Sequence, residues 1–463
     1  MSTSQSSKSG EQDATKFRIL VVGFVWPELR STAASQNIVS IMRVLEDAGH
    51  ELHFASAAQQ SERFQLEQSQ RDILLRIQCH SIRLNCDSFD EFIKHLQPTI
   101  VIFDRFLSEE QFAWRVMKHA PNALRVLDLE DLHFLRQARH QYYKQTGYSA
   151  NYFPKPSTIF EKANQQLLNS DLCARELASI LRCDLNLTLS IDEYNILTTR
   201  FNVDERKLAL VPFIGASFAG LDIDNMDMDN LNADKLTTDA LKKSETYNNQ
   251  QDFISIGNFK HAPNIEAVRI LVQKIWPKIR AKLPNVALHI YGAYLPPKIK
   301  ALEDIKHGIF MHGYVEDHEA LFANAKVMLA PIVFGAGVKG KLRDACFASL
   351  PSVVTSMAVE GIRFSHWPGA IADSEAEFVK QAVRVYEDAI EIKSNQALFK
   401  DIIQRNFDFT VNQQSLIKAL TEACLNNAER RVSDFMQNMT CHQTLAAHQY
   451  MSQWINAKNQ NKA

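Results

Sequence analysis

The stretch PIVFGAGVKGKLRDACFASLPSVVT, residues 331–355, carries the clearest signal for the fold. An apolar run leads into a glycine-rich turn, an amphipathic segment follows, and a second apolar run ends the stretch. This order predicts a strand, a turn, a helix and another strand. Glycines let a backbone approach a ligand closely, and a helix start offers free N–H groups and the positive end of the helix dipole. Because Lys339 and Lys341 add two cations, the turn predicts a diphosphate site.

Two familiar phosphate motifs do not fit this turn. The pattern G-x-x-x-x-G-K-[ST] fails because Leu342 follows Lys341. Gly335, Gly337 and Gly340 have the spacing of the dinucleotide fingerprint. That fingerprint, however, expects a strand directly before it and an acidic residue about 20 positions later at a strand end. The alternative to a phosphate site is a plain glycine turn with two solvated lysines.

Short apolar runs alternate with helical segments on both sides of the turn. A helix is predicted over 33–48, and another starts at Asn264 and is kinked or ended by Pro277. Such alternation is typical of an α/β fold with parallel, doubly wound sheets. The predicted strands are 17–22, 51–55, 100–103, 124–128, 184–189, 207–211, 253–256, 286–291, 308–312, 326–330 and 351–355.

An Asp- and Asn-rich stretch divides this alternation into two Rossmann-like domains. A calcium loop does not fit that stretch, because oxygen ligands at positions 1, 3 and 5 followed by glycine at 6 cannot be placed in it. Helices are predicted near the C-terminus at 412–426 and 432–456. We therefore predict a disordered tail over 1–16, a first domain over 17–213, a linker or insertion over 214–251, a second domain over 252–410, and C-terminal helices with a polar tail over 411–463.

The composition excludes several classes of protein. Hydrophobic residues make up 46% and charged residues 22%, as in soluble globular proteins, and a net charge of −2 gives no basic field for nucleic acid. The sequence has no apolar run of about 18 residues, and its N-terminus lacks the apolar core of a secretory signal. Seven cysteines without a C-x-x-C pair indicate reduced thiols rather than disulfides or zinc ligands. We therefore expect a cytoplasmic protein without a metal site.

Further motifs stand in a fixed order around the turn. In the second domain they are FISIGNFKHAPN (253–264), ALHIYG (287–292), HGYV (312–315), LPSVVT (350–355) and Glu360-Gly361. Together with the turn they resemble the nucleotide-binding domain of the retaining "group 1" glycosyltransferases, family 4, which have the GT-B fold. The first domain is similar more loosely, through Trp26-Pro27, Gly49-His50 and RCDLNLTLS (182–190) with Glu193.

The resemblance implies two Rossmann-like domains whose parallel sheets face each other across a cleft. It implies transfer of a sugar, with a hexose expected, from a nucleotide-diphosphate donor to the hydroxyl of a glycan or other acceptor. The anomeric configuration would be retained, no cofactor would be required, and Lys341 would neutralise the leaving diphosphate. The donor-binding residues that it implies are Gly257, Asn258, His261, Gly335, Gly337, Val338, Lys339, Lys341, Asp344 and Glu360.

The chain departs from this family pattern where the donor would bind. Many relatives carry Glu-x7-Glu, but here Ala336 takes the first position and Asp344 the second, whose shorter carboxylate could still bind a ribose hydroxyl. A Gly-Arg…Lys pair is also missing, because Asn258 follows Gly257. The alternative hypothesis is therefore a catalytically silent GT-B module that binds nucleotide-sugar, glycan or a protein partner. A nucleotide-sugar epimerase, which can share two Rossmann-like domains, is a third hypothesis.

In the first domain, candidate residues follow the first strand. Gly23 ends that strand, and Ser31 or Thr32 could cap the next helix with its N–H groups facing the cleft. Arg30 could meet an anionic donor or acceptor, with an ordinary surface arginine as the alternative. The acceptor would lie on this side of the cleft.

A second candidate segment, DLEDLHFLR (128–136), follows another predicted strand, where α/β sheets place ligands. Asp128 and Asp131 are candidate bases, and the resemblance gives His133 a contact with the donor sugar. The alternative is a polar loop whose acids pair with Arg136 and Arg139. The sequence leaves peripheral membrane contact and the oligomeric state open, and the helix beyond residue 430 is a candidate oligomer contact.

Overall fold

Two parallel β-sheets organise the chain, one in each half. The computed structural model describes residues 16–28, 32–62, 64–65, 77–215, 252–315 and 318–460, without the side chains of 443–448. The predicted N-terminal tail and nearly all of the predicted linker lie outside the described residues. Every strand pairing within the two sheets is parallel, as the alternation of strands and helices predicts.

The first sheet has seven strands in the order β3-β2-β1-β4-β5-β6-β7. The sequence order reverses beside β1, where Val21 pairs with Phe54 on one side and with Ile102 on the other. β3 is a strand that the sequence did not predict, because its residues QCHS are short and mostly exposed. The strands are β1 Arg18–Gly23, β2 Glu51–Ser56, β3 Gln78–Ser81, β4 Ile100–Asp104, β5 Leu124–Asp128, β6 Leu185–Thr188 and β7 Leu208–Leu210.

Helices cover both faces of this sheet. Thr32 caps the first of them by accepting a hydrogen bond from the Ser35 N–H at 3.0 Å, whereas Ser31 lies outside the described residues. Ser190 caps the last in the same way, through the Glu193 N–H. The helices are α1 Ala33–Asp47, α2 Ser88–Leu96, α3 Arg105–His119, α4 His133–Thr146, α5 Gln165–Leu168, α6 Asp171–Arg182 and α7 Ile191–Phe201.

The second sheet repeats this arrangement with six strands, in the order β10-β9-β8-β11-β12-β13. The last strand, which the sequence did not predict, has only three residues. The strands are β8 Phe253–Ile256, β9 Leu288–Tyr291, β10 Ile309–Gly313, β11 Val327–Ala330, β12 Ser352–Val354 and β13 Gly369–Ile371. The helices are α8 Ala262–Ile270, α9 Trp276–Lys282, α10 Pro297–Lys300, α11 His318–Ala323, α12 Gly340–Phe347, α13 Ser356–Val359, α14 Glu375–Glu387, α15 Ala389–Ser394 and α16 Gln396–Asn406.

The helix predicted from Asn264 does not end at Pro277. A π-helical turn, Leu271–Ile275, joins α8 to α9, and Pro277 stands in the first turn of α9. Proline has no N–H to donate, and the first turn of a helix is where that loss matters least. The chain therefore continues as one helical segment through Lys282.

The C-terminal helices return to the first sheet. They are α17 Phe409–Leu425, α18 Asn427–Ser433 and α19 Phe435–Gln460. Leu416 and Leu420 of α17 are buried in the same apolar cluster as Val21 of β1. Asn412 donates to the Phe213 carbonyl at 2.9 Å, which fixes the end of the first domain to the start of α17.

A buried carboxylate, Asp184, anchors α18 and α19 to the first domain. It pairs with Arg125 from β5 and with Arg431 from α18, whose Nη2 lies 2.5 Å from Oδ2. Gln437 of α19 donates to Oδ1 at 2.8 Å. Burial acts in the opposite direction, but the charges of Arg125 and Arg431 hold the pKa of Asp184 well below its usual range. The carboxylate is therefore ionised at neutral pH and joins three elements.

We expect Asp184→Asn to lower the free energy of unfolding of the first domain by about 3–5 kcal/mol, because it leaves buried guanidinium groups without a counter-charge. Urea denaturation followed by circular dichroism at pH 7 measures this change. The matched control is Asp204→Asn, since Asp204 pairs with Arg206 where both side chains are exposed. The control should change stability by less than about 1 kcal/mol. Equal effects of the two substitutions would contradict the anchoring role of Asp184.

Candidate functional site

A cleft of about 660 Å³ lies between the two sheets and is lined by both domains. Its walls include the segments that follow β1, β5, β8 and β11. Open parallel sheets bind ligands outside the carboxyl ends of their strands, at the point where the strand order reverses. In both sheets that point faces this cleft, so the fold places the predicted site residues of the two domains opposite each other.

The glycine-rich turn lies where the domains come closest. At Gly337, φ is +67°, and an added Cβ would stand 2.7 Å from the Cβ of Asp131 in the first domain. At Gly340, an added Cβ would stand 2.6 Å from the Cβ of Ala33. At Gly335 there is room for a side chain, since an added Cβ would lie 3.7 Å from its nearest neighbour, Cε of Lys339. Two of the three glycines are therefore required by contact between the domains.

Both lysines of the turn line the cleft. Lys341, in the first turn of α12, donates to Asn264 Oδ1 at 2.8 Å. Burial, followed by the charge of Lys339, lowers the pKa of Lys341 to about 7. Lys339 donates to the Gly337 carbonyl at 2.8 Å, and burial lowers its pKa although Glu360 opposes this effect. The cleft therefore places two neighbouring lysines beside a helix N-terminus, an arrangement that suits an anion.

The loop after β8 forms the wall beside Lys341. Gly257 has no room for a side chain, because an added Cβ would lie 2.6 Å from Cγ of Asn264. Asn264 donates to the Asn258 carbonyl at 2.9 Å and accepts from Lys341, so it links this loop to the glycine-rich turn. The predicted residues Asn258 and His261 both line the cleft.

A buried ion pair holds the turn from the opposite domain. Arg139 of α4 donates to both carboxylate oxygens of Glu360 at 2.6 Å and to the Gly335 carbonyl at 2.7 Å. The side chains of Arg139 and Glu360 are each only 3% exposed. Glu360 therefore lies behind the turn rather than in the cleft, and the predicted direct contact with the donor does not suit its position. The alternative pairing of Arg139 with the acids of its own loop is not what the described residues show.

Two further carboxyl groups of the first domain bind the backbone of the second. Glu193 Oε1 accepts from the Gly337 N–H at 2.8 Å and from the Leu132 N–H at 3.3 Å. Asp192 accepts from the Gly361 N–H at 2.7 Å. Burial, reinforced by Asp131 and Glu360, raises the pKa of Glu193 to about 8, so this carboxyl is protonated at neutral pH.

The first-domain wall contains the predicted residues Asp131 and His133. Asp131 pairs with Arg136, and its Oδ1 lies 3.4 Å from Nε2 of His133. Burial lowers the pKa of His133 to about 4, with Asp131 opposing, so the ring is neutral and can exchange hydrogen bonds with a hydroxyl. Burial would raise the pKa of Asp131, but the nearby positive charge of Arg136 lowers it. The ion pair of Asp131 with Arg136, which is the alternative to a role of Asp131 as a base, is present, and it leaves Asp131 a poor proton acceptor.

The remaining candidate residues are Asp344, Gly23 and Arg30. Asp344 lines the cleft and accepts from Arg343 Nε at 2.9 Å, while Arg343 Nη2 also donates to Gln36 of α1 at 2.5 Å. Gly23 lies under the cleft, where an added Cβ would meet the Phe54 ring at 2.2 Å, so it serves packing. Arg30 lies outside the described residues.

The mouth of the cleft is bridged by a tyrosine and a carboxylate. The hydroxyl of Tyr294, which follows β9, donates a hydrogen bond to Oε2 of Glu28 in the first domain at 2.7 Å. Ser61 donates to the same carboxylate at 2.7 Å, and the Lys260 ammonium lies 3.6 Å from the centroid of the Tyr294 ring. These contacts form a second link between the two domains, separate from the Arg139 ion pair.

Sequence reasoning assigned no role in the site to Arg139, Glu193, Asn264, Tyr294 or Glu28. Glu193 and Asn264 lie within stretches that carry the resemblance, which is the one signal that could have singled them out. Arg139, Tyr294 and Glu28 lie in segments without a motif, and their partners are distant in sequence.

Residues 250–388 match the family model described as "Glycosyl transferases group 1". This match covers most of the second domain. No curated protein sequence matches the chain. The matched region, called the group 1 domain below, contains the glycine-rich turn, both lysines and Glu360, and the sequence resemblance of the second domain to group 1 glycosyltransferases is thereby confirmed.

Solved structures show the fold of both domains. A glycosyltransferase from Rickettsia africae ESF-5 shares 14% identity and a TM-score of 0.56, over 88% of this chain and 98% of that one. Anabaena Alr3699/HepE in complex with UDP-glucose shares 13% identity and a TM-score of 0.56, over 88% and 100%. S. aureus TarM, in complex with fondaparinux, alpha-GlcNAc-glycerol and UDP, shares 8% identity and a TM-score of 0.59, over 88% and 99%. The predicted GT-B fold is confirmed.

Membrane-spanning helices and metal clusters are both missing from the described residues. None of the described helices has the length and apolar character needed to cross a bilayer. No group of three or more His, Cys, Asp or Glu side chains in the described part of the chain is placed to hold a metal ion.

We expect Gly337→Ala to destabilise the closed arrangement of the two domains by at least about 1–2 kcal/mol, because a positive φ is costly for alanine. The new methyl group would also overlap Asp131. Urea unfolding and nucleotide-induced thermal shifts measure the loss. Gly335→Ala is the matched control in the same turn and should leave stability nearly unchanged. Equal losses from the two substitutions would show that contact with Asp131 is not what requires glycine.

Proposed function

We propose that the chain transfers a sugar from a nucleotide-diphosphate donor to an acceptor hydroxyl, with retention of the anomeric configuration. The observation that carries this proposal is the pair of ammonium groups, Lys339 and Lys341, beside the start of α12 in a cleft between two domains. They stand where a leaving diphosphate would develop charge, and stabilisation of developing charge by fixed donors is commonly what accelerates such reactions most. The group 1 domain contributes both of them.

The donor would lie against the second domain with its diphosphate at the turn. Lys341 is the primary partner of the diphosphate, because the described residues place no carboxylate within 4 Å of its ammonium and its hydrogen bond goes to the neutral Asn264. Lys339 is the second partner. Gly335 and Val338 line the approach to the turn, and the chemistry needs no metal in this scheme.

The sugar would face the first domain. His133 is neutral and reaches the cleft, so it suits a hydrogen bond to a donor hydroxyl. Asp344 remains the candidate for the ribose hydroxyls, although its carboxylate is shared with Arg343. The acceptor would enter along Phe24 and Val25, which are 41% and 40% exposed at the end of β1.

UDP is the first nucleotide to test, because the solved structures of similar fold named above include complexes with UDP or UDP-glucose. A retaining hexosyltransferase would break the bond between the sugar and the diphosphate, which is the leaving group. It would form one glycosidic bond to the oxygen of the acceptor hydroxyl. The silent module differs in that it would bind the same nucleotide without releasing sugar.

We expect UDP, in a panel with GDP, ADP and CMP, to raise the melting temperature of the protein. Lys341→Ala should weaken the affinity of the protein for UDP about tenfold or more, since a hydrogen bond to a charged group contributes about 1.5–3 kcal/mol. Thermal-shift titration measures the affinity through mass action. The matched control is Lys380→Ala, because the Lys380 side chain is 70% exposed on α14. An unchanged shift in Lys341→Ala would contradict the assignment of the diphosphate site.

The pH dependence gives an independent readout of the same residue. Burial lowers the pKa of Lys341 to about 7, so the free protein loses this proton as the pH rises above that value. A diphosphate binds the protonated form better, and its affinity should fall between about pH 7 and 9 in wild type only. A parallel decline in Lys341→Ala would assign the titration to another group.

Turnover separates the enzyme from the silent module. With UDP-glucose and water or glycerol as acceptor, time-resolved proton NMR should detect the α anomer of the released sugar first, because the donor is α-linked. Release of the β anomer first would contradict retention. Nucleotide binding without any sugar release, across the donors tested, would favour the silent module.

A further inference from the structure

The C-terminal helix α19 turns an apolar face to the outside. We define the outer stripe as six side chains of this helix: Phe435, Met436, Met439, Tyr450, Met451 and Trp454. The three aromatic residues Phe435, Tyr450 and Trp454 are 75%, 68% and 62% exposed, and the methionines are also exposed. Large apolar side chains collected on one side of a helix mark an interaction surface.

The described contacts that α19 makes with the first domain near its two ends are polar, whereas a usual surface helix packs through apolar side chains. Gln437 donates to the Arg182 carbonyl at 3.0 Å, Ser452 donates to Asn85 at 2.7 Å, and Asn456 donates to Asp87 at 3.1 Å. These bonds fix both ends of the helix flat against the first domain. The outer stripe is therefore held in place as an exposed strip, and burying it against its own domain would break these bonds.

The dimensions of the stripe favour a surface over a second copy of the chain. From Phe435 to Trp454 a helix rises about 29 Å, and the six side chains lie at the two ends of that length, at 435–439 and 450–454. Even a full face about 10 Å wide over this length would give at most roughly 300 Å². Each partner in a stable dimer contributes about 800 Å². One such stripe supplies less than half of that area, whereas a helix lying in a lipid interface needs only a narrow apolar face.

The charges point to an anionic lipid surface. Residues 435–460 contain no aspartate or glutamate, although the chain has 53 acidic residues, and Lys458 adds a positive charge. Arg430 precedes the helix together with two acidic residues, Glu429 and Asp434, and the carboxylate of Asp434 is paired with Lys207. Basic charge near an apolar face adds attraction to anionic headgroups. Tyr450 and Trp454 have the amphipathic rings that concentrate at membrane–water interfaces.

We propose that the outer stripe of α19 is a peripheral membrane contact that seats this helix in the headgroup layer of an anionic bilayer. The inference is independent of the sugar-transfer proposal, because it concerns a surface remote from the lysines of the cleft. It assigns a function to the helix for which the sequence suggested an oligomer contact.

A built-in reporter tests the proposal on the full chain. The protein has five tryptophans, of which Trp26, Trp114, Trp276 and Trp367 are at most 9% exposed, so Trp454 is the reporter that lipid would reach. Adding phosphatidylcholine vesicles that contain phosphatidylglycerol should shift the emission to shorter wavelength, and Trp454→Phe should lose that shift. Vesicle co-sedimentation should fall at least tenfold in the triple variant Phe435→Ser, Tyr450→Ser, Trp454→Ser.

The matched control replaces three equally exposed apolar residues elsewhere: Ile305→Ser, Ile390→Ser and Val411→Ser, which are 66%, 69% and 57% exposed. It should sediment like wild type, and both triple variants should keep the UDP thermal shift of the wild type, whatever its size. No sedimentation of wild type with anionic vesicles would overturn the proposal. A wild-type dimer in light scattering that the stripe variant converts to monomer would also overturn it, by assigning the stripe to a second copy.

Discussion

The buried ion pair between Arg139 and Glu360 is the contact on which the site depends. It joins the two domains behind the glycine-rich turn, and the same guanidinium also donates to the Gly335 carbonyl, so one side chain of the first domain fixes the turn of the second. Glu193 adds a bond to the Gly337 N–H. A buried ion pair is costly to form and strongly destabilising to break on one side only, so both partners constrain each other. The turn is therefore held by side chains of the other domain as well as by its own.

This constraint explains the electrostatics of the cleft. Lys339 and Lys341 are buried together, which lowers the pKa of each, and burial raises the pKa of Glu193 to about 8. A diphosphate in the cleft would favour the protonated form of both lysines, and this is the electrostatic part of the proposed donor binding.

Most of the fold could be predicted from the sequence, because strands such as 124–128 and 253–256 are short continuous apolar runs between helical patterns. β3 and β13 were missed because they are short edge strands with weak apolar character. The cleft wall of the second domain was also predictable, since Gly257, Lys339 and Lys341 belong to local motifs and line the cleft. Arg139 and Glu193 were not, because they meet their partners 196 and 144 residues away in sequence, and periodicity does not report on such contacts. Glu360 was found by its motif, but its burial against Arg139 depends on the other domain.

The most direct test of this dependence is a double-mutant cycle on UDP affinity with Arg139→Met, Glu360→Met and the double variant, measured by calorimetry. If the ion pair holds the turn for the nucleotide, each single substitution should weaken UDP binding about tenfold or more. The double variant should then bind UDP at least as tightly as the single variant with the lower affinity. Strictly additive losses, or single variants that bind UDP like wild type, would contradict the claim that the first domain shapes the diphosphate site through this pair.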